Sequence, residues 1–406
     1  MSTQQANKAT AQGIDTIFAW ADEFAIPEDE IPRDKQKLLA LTELDIDRGS
    51  SHQKTQLPKV TYLPEDIGQL INLTKLNISQ NKLTQLPSTI GQLTNLTTLH
   101  ISFNQLTELP ESIGELSNLT ELHIDFNQLQ KLPEAIGQLD GLTVFDAFSN
   151  KLSQMPESIG RLTNLEELNL SNNQLTELHD SIGQLNQLTT LKLSQNQIAQ
   201  LPDNFSQLSH LVLLDMSDNQ LTTIPKSIGS LQALSSLLLN HNQITEIPAH
   251  IGALVNLTLL KLNNNRIHQV AEDIGHLKQL KKLDISKNQL TSLPEGLWTL
   301  SNLGHLYIYG NQVTALSEKM AQLSSLEEFD VSGNKLTNLP SDIGELTNLK
   351  DLYVSYNQLS QLPASLCHLK NLEALNLEGN PLKDLSEEVQ EFMSHIPFVW
   401  GWRKVG

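Results

Sequence analysis

The sequence is short of several things, and each shortage excludes something. A single cysteine, Cys367, stands among 406 residues, so no disulfide can form within the chain. That fits a reducing compartment and a fold that protects its ends without covalent staples. Basic residues are scarce: 27 Lys and Arg oppose 46 Asp and Glu, a formal net charge of −19. General nucleic-acid binding needs a basic footprint and is excluded; anionic membrane surfaces are disfavoured for the same reason. No run of about 18 apolar residues could span a bilayer. The first residues, Met1 to Lys8, lack the apolar core of a secretory signal, and neither end carries a lipidation motif. Catalytic signatures are missing too: there is no Gly-x-x-x-x-Gly-Lys loop, Gly-x-Ser-x-Gly elbow, His-Glu-x-x-His helix or Cys-x-x-Cys pair. These absences describe a soluble, cytoplasmic, monomeric chain without catalysis or cofactor.

What is present is a period. Asparagine recurs at 81, 104, 127, 150, 173, 196, 219, 242, 265, 288, 311, 334, 357 and 380, fourteen residues at an unbroken spacing of 23. Before each stands a Leu-x-x-Leu-x-Leu pattern, as in Leu165 to Asn173; after most comes Leu-Pro-x-x-Ile-Gly-x-Leu. Alternate side chains of a short strand point inward, so the first motif predicts a strand, and strands of successive repeats stack in parallel. An asparagine side chain offers donors and an acceptor, which lets a ladder of them satisfy backbone groups at the turn after each strand. Proline then fixes φ for a short helical turn that returns Ile-Gly-x-Leu to the core. A core built this way grows lengthwise and escapes the size limit of a globular domain.

These motifs resemble the leucine-rich-repeat family, and the resemblance covers about residues 41 to 385. The 23-residue unit is most similar to the intracellular and bacterial subclass related to Ras-group leucine-rich-repeat proteins. The resemblance implies an α/β solenoid, a horseshoe or right-handed superhelix. Parallel strands would line a concave face and short helical turns a convex one, with helical caps at both ends.

Within that frame, residues 1–12 are expected to form a flexible polar leader and 13–40 an N-terminal helical cap, because Ile14, Ile17, Phe18, Ala21 and Phe24 recur at helical spacing. Residues 41–385 form the array, one degenerate repeat with Gly49 at the Asn position plus fourteen full ones, with an insertion at about 50–58. Residues 386–406 form a C-terminal cap and aromatic tail: Val389, Phe392, Met393 and Ile396 suggest a helix, and Phe398, Val399, Trp400 and Trp402 follow. The tail reads either as packing on the last repeat or as a docking segment.

Only 5% of the chain is aromatic, so its gathering on the expected concave face is informative. One cluster comprises His100, Phe103, His123, Asp125, Phe126, Asp146 and Phe148. An apolar strip follows with Leu213, Leu238 and Leu259, and a third group with His305, Tyr307, Tyr309, Tyr353 and Tyr356. Aromatic residues are the usual anchors of protein interfaces, so this face is expected to bind a protein partner. An exported effector that sequesters a host protein and a scaffold for a GTPase or phosphatase are the alternatives. Lys261, Lys281, Lys282 and Lys287 make a local basic patch, with Asp284 among them to pair charges. Spacing alone would let His100, His123 and Asp146 hold a metal ion. Neighbouring strands are expected to align side chains in parallel rather than converge them, and no partner to orient the imidazoles is evident, so no metal is expected.

Overall fold

In each repeat the central residue of a three-residue strand is buried while its two neighbours face outward, as in Thr98–His100 around Leu99. This alternation is what the pleat dictates. The structure, a computed structural model, describes residues 3–49, 56–383 and 385–402. It divides into two units, Met1–Leu211 and Val212–Gly406, each a parallel-strand solenoid.

The N-terminal unit opens with helices α1 (Thr3–Glu23) and α2 (Lys35–Leu39). Strands β1 (Glu43–Asp45), β2 (Lys75–Asn77), β3 (Thr98–His100), β4 (Glu121–His123), β5 (Val144–Asp146), β6 (Glu167–Asn169) and β7 (Thr190–Lys192) then pair in chain order, all parallel. The second unit carries β8 (Leu213–Asp215), β9 (Ser236–Leu238), β10 (Glu246–Ile247), β11 (Leu259–Lys261), β12 (Gln269–Val270) and β13 (Lys282–Asp284). After them come β14 (His305–Tyr307), β15 (Glu328–Asp330), β16 (Asp351–Tyr353), β17 (Ala374–Asn376), helix α3 (Glu387–Ser394) and β18 (Phe398–Trp400). Strands β10 and β12 form a separate two-stranded sheet. Its cause is local: Ala271 stands where most repeats have proline, and its N–H donates to the Ile247 carbonyl at 2.9 Å, a bond that proline cannot make.

The asparagine ladder works as the period implies. The Asn127 side-chain nitrogen donates to the carbonyls of Ile124 and, one repeat back, Ile101, both at 3.0 Å, while its oxygen accepts from the Leu106 N–H at 3.0 Å. Each rung thus ties neighbouring repeats together, with the amide donating and its oxygen accepting. A second ladder was not anticipated. Asn95, Asn118, Asn164, Asn256, Asn302, Asn348 and Asn371 each donate 2.8 Å to a carbonyl 24 residues earlier. The turns between strands are 3-10 helices such as Glu111–Glu115, entered from Pro110. Gly114 is required there by close approach, since a Cβ would stand 2.5 Å from the Ala135 carbonyl oxygen of the next turn.

Helices stand at both ends, as expected, with differences in detail. Helix α1 begins at Thr3, so residues 3–12 are helical rather than a flexible leader. Once a helix is nucleated, each further residue adds one hydrogen bond, and Gln, Ala and Lys extend it without an apolar stripe. Trp20, outside the stripe read from the sequence, is 2% exposed, and its indole N–H donates to the Tyr62 carbonyl at 2.8 Å. Arg48 is fully buried beside the first repeats and pairs with Glu30 at 3.1 Å. At the other end α3 buries Val389 and Met393, but the aromatic tail is strand β18, paired in parallel with β17 so that Leu375 meets Val399. A strand at this edge covers the last repeat's hydrogen-bonding groups, which a helix alone would leave open. Of the expected insertion, residues 50–55 lie outside the described residues. No helix among the described residues is long and apolar enough to cross a membrane.

Candidate partner-binding faces

The residue just before each ladder asparagine adopts a left-handed conformation. Gln80, Phe103, Phe126, Ser149, Asn172, Gln195, Asp218, His241, Asn264, Lys287 and Tyr356 all have φ between 50° and 61°, and Gly310, Gly333 and Gly379 share the position with φ of 63° to 70°. The turn imposes this, because the chain must fold inward for the asparagine to reach the core. For an L-residue the conformation costs roughly 1–2 kcal/mol, least for Asn and Asp and nothing for glycine. Most repeats place a small, polar or flexible side chain there. Two adjacent repeats place phenylalanine.

Phe103 and Phe126 are 41% and 40% exposed, with ring planes 14° apart and centroids at 4.1 Å. Phe148 meets Phe126 edge to face at 5.1 Å. The ring pair floors a shallow depression rimmed by Lys59, Gln80, Lys82 and Gln105. Burial lowers the pKa of Lys59 below the ordinary lysine value, and its ammonium donates to the Arg48 carbonyl at 2.8 Å.

Beside the rings, His100 and His123 are register partners of β3 and β4, and Asp146 follows in β5. His100, His123 and Asp146 do not come together as one set of ligand atoms among the described residues. The two imidazoles lie edge to face, centroids 4.5 Å apart and planes 76° apart. Ligand atoms of His100, Glu121 and His123 all lie within 4.8 Å of one another, as do those of His123, Asp125 and Asp146. Glu121 escaped the sequence reading, although it stands two residues before His123 on the same strand face. Burial, then the neighbouring His123, lowers the His100 pKa. Burial raises that of Asp125, which accepts a hydrogen bond from the Ser102 hydroxyl.

In the second unit the groups are looser. Leu213 and Leu259 flank Ser236 in one column, and Leu238 lies between Asp215 and Lys261 in another. The apolar strip is therefore interrupted at every step. Tyr307 and Tyr353 share a column but are separated by Asp330, and His305 sits between Lys282 and Glu328. The Tyr307 hydroxyl donates to Glu328 at 2.6 Å while Lys282 lies over its ring at 4.8 Å. Burial, then the Glu328 bond, raises the Tyr307 pKa far above the ordinary phenol range. Lys287 stands over Tyr309 at 5.8 Å. Two lysines of the basic patch are thus engaged with tyrosine rings, and Lys261 faces Asp284 in register. Tyr356 is 61% exposed and lies over Gly379, where an added Cβ would be 2.6 Å from the ring.

Stacked repeats that satisfy their own backbones, and expose side chains unneeded for that stacking, define an interaction module. Leucine-rich-repeat families match by description over most of the chain: the leucine-rich repeat region at residues 36–125 and 242–335, and the leucine rich repeat at 149–198, 201–244 and 314–382. A leucine-rich-repeat protein of Leptospira interrogans is 36% identical, with a TM-score of 0.79, over 90% of this chain and 98% of its own. The functional domain of InlJ from Listeria monocytogenes is 26% identical with a TM-score of 0.60, over 86% of this chain and 70% of its own. The plant peptide hormone receptor RGFR1, solved in complex with RGF2, is 25% identical with a TM-score of 0.57, over 88% and 74%. No curated protein sequence matches the chain significantly. The chain belongs to the leucine-rich-repeat family and is a protein–protein interaction module.

Proposed function

We propose that the sheet face of the N-terminal unit binds a protein partner through the Phe103–Phe126 pair, without chemistry of its own. The observation that carries this is the pair itself: two bulky rings, stacked and exposed, held in a backbone conformation that disfavours them. Residues kept in costly conformations point to function when nothing in the packing needs them. Exposed aromatic pairs are efficient anchors, and the exposed Lys82 at the rim suits a partner whose apolar anchor is flanked by an acidic group. The second unit's tyrosines serve less well, because Tyr307 already spends its hydroxyl on Glu328 and its ring on Lys282. With one cysteine and a net charge of −19, a monomer in a reducing cytoplasm is the setting that fits.

The test immobilises the chain and a Phe103→Asn, Phe126→Asn variant, exposes each to lysate of the source organism and to lysate of a host, and identifies captured proteins by mass spectrometry. A protein held by the parent and lost by the folded variant supports the reading. Equal capture by both refutes it. The lysate that supplies the partner separates a scaffold from an exported effector, and a GTPase or phosphatase among the specific captures would make the chain a regulatory scaffold.

A further inference from the structure

We propose that His100, Glu121 and His123 form a site for one zinc-class divalent ion on the sheet face of the N-terminal unit. Three features meet there. The donor set is two imidazoles and one carboxylate, the nitrogen-rich combination that favours zinc over magnesium or calcium. Topology supplies convergence: His100 and His123 are direct register partners on adjacent strands, and Glu121 is two residues before His123, so all three project from the same face. Their ligand atoms already lie within 4.8 Å of one another. Tetrahedral coordination at about 2.0–2.2 Å separates ligand atoms by roughly 3.4 Å, so binding requires the side chains to rotate toward one another.

One of the imidazoles also holds an unpartnered donor atom. His100 Nε2 is buried and makes no hydrogen bond, a condition that costs a polar atom about 1–3 kcal/mol. The neighbouring set of His123, Asp125 and Asp146 is the weaker candidate. It has one imidazole, Asp125 accepts from Ser102, and an Asp146 oxygen accepts from the Phe148 N–H at 2.9 Å. Those two carboxylates instead add negative potential beside the ion. Three protein donors leave a fourth position for water or for an anionic group of a ligand.

The experiment is calorimetric titration of Zn2+ alone into untagged full-length protein, with Co2+ as a spectroscopic substitute. One ion per chain is expected, with the intense visible absorption of four-coordinate cobalt. His100→Ala, His123→Ala and Glu121→Gln should each weaken binding by at least about tenfold, while Asp125→Asn and Asp146→Asn should change it by less than about threefold. Glu121→Gln is isosteric, so circular dichroism unchanged from the parent separates loss of a ligand from loss of the fold. Absence of saturable binding at millimolar zinc would overturn the proposal. So would stoichiometry above one that no substitution lowers, or loss in Asp146→Asn with retention in Glu121→Gln, which moves the ion to the other set.

Discussion

Phe126 and Gly333 occupy the same step of the repeat with nearly the same backbone, φ of 52° and 63°. One repeat places an exposed ring on a strained residue; the other removes the side chain and with it the strain. The next residue does not vary at all: Asn127 and Asn334 make the same set of bonds to their own turn and to the repeat before. Adjacent positions thus answer to different demands. The asparagine holds the solenoid together, and the residue before it is free to be chosen for what lies outside. Where that freedom is used for phenylalanine twice running, the turn carries strain for an exposed ring pair, which is the basis of the proposed partner site; where it is used for glycine, the turn is relaxed.

The sharpest way to break this comparison is at the asparagine. Asn127→Ala should cost about 3 kcal/mol or more, because Leu106 N–H and two buried carbonyls lose their partner; a urea midpoint close to the parent's would refute the division of roles. Next in size, Gly333→Phe should destabilise by about 1–2 kcal/mol. An added Cβ there meets nothing nearer than 3.5 Å, so the cost would measure backbone strain rather than a clash.

Tyr307→Phe should cost about 1 kcal/mol by removing the bond to Glu328. The same tyrosine gives a pH prediction. Its folded pKa is raised, so its contribution to stability is complete below the unfolded phenol value near 10 and is lost as pH rises beyond it. Phenolate absorbance of the folded protein at pH 11 should therefore be the same in the parent and in Tyr307→Phe, and the two should differ by one tyrosine only after unfolding. Smallest of all, Phe126→Asn should leave stability within about 0.5 kcal/mol, as the lost stacking is offset by a residue at ease in the left-handed region. A large loss in thermal unfolding would make the ring pair a structural brace instead of an anchor.

Much of this was legible beforehand. The ladder asparagines, the buried centre of each strand and the proline-led turns follow from a period and from side-chain chemistry, and the structure repeats them turn by turn. The exposed placement of Phe103 and Phe126 followed from their steps in the motif, whereas Phe148, one step over, is half-buried. Glu121 did not, because one Glu among many carries no mark until a neighbouring strand sets two imidazoles beside it. Trp20 lies off the apolar stripe that periodicity detects, and its burial depends on a carbonyl of Tyr62, 42 residues away. The tail Phe398–Trp400 reads as aromatic but not as strand, since its pairing partner is the last repeat rather than anything in the tail.

The sequence by itself determined the repeat, its length and which face each residue of the motif takes, because those depend on contacts within one unit multiplied by identical neighbours. The left-handed turn under Phe103 and Phe126, the glycine demanded by a carbonyl one repeat ahead and the meeting of His100 with Glu121 and His123 were decided by tertiary structure. Each of these depends on the direction of a bond in one repeat relative to an atom in the next, and a one-dimensional pattern does not carry directions.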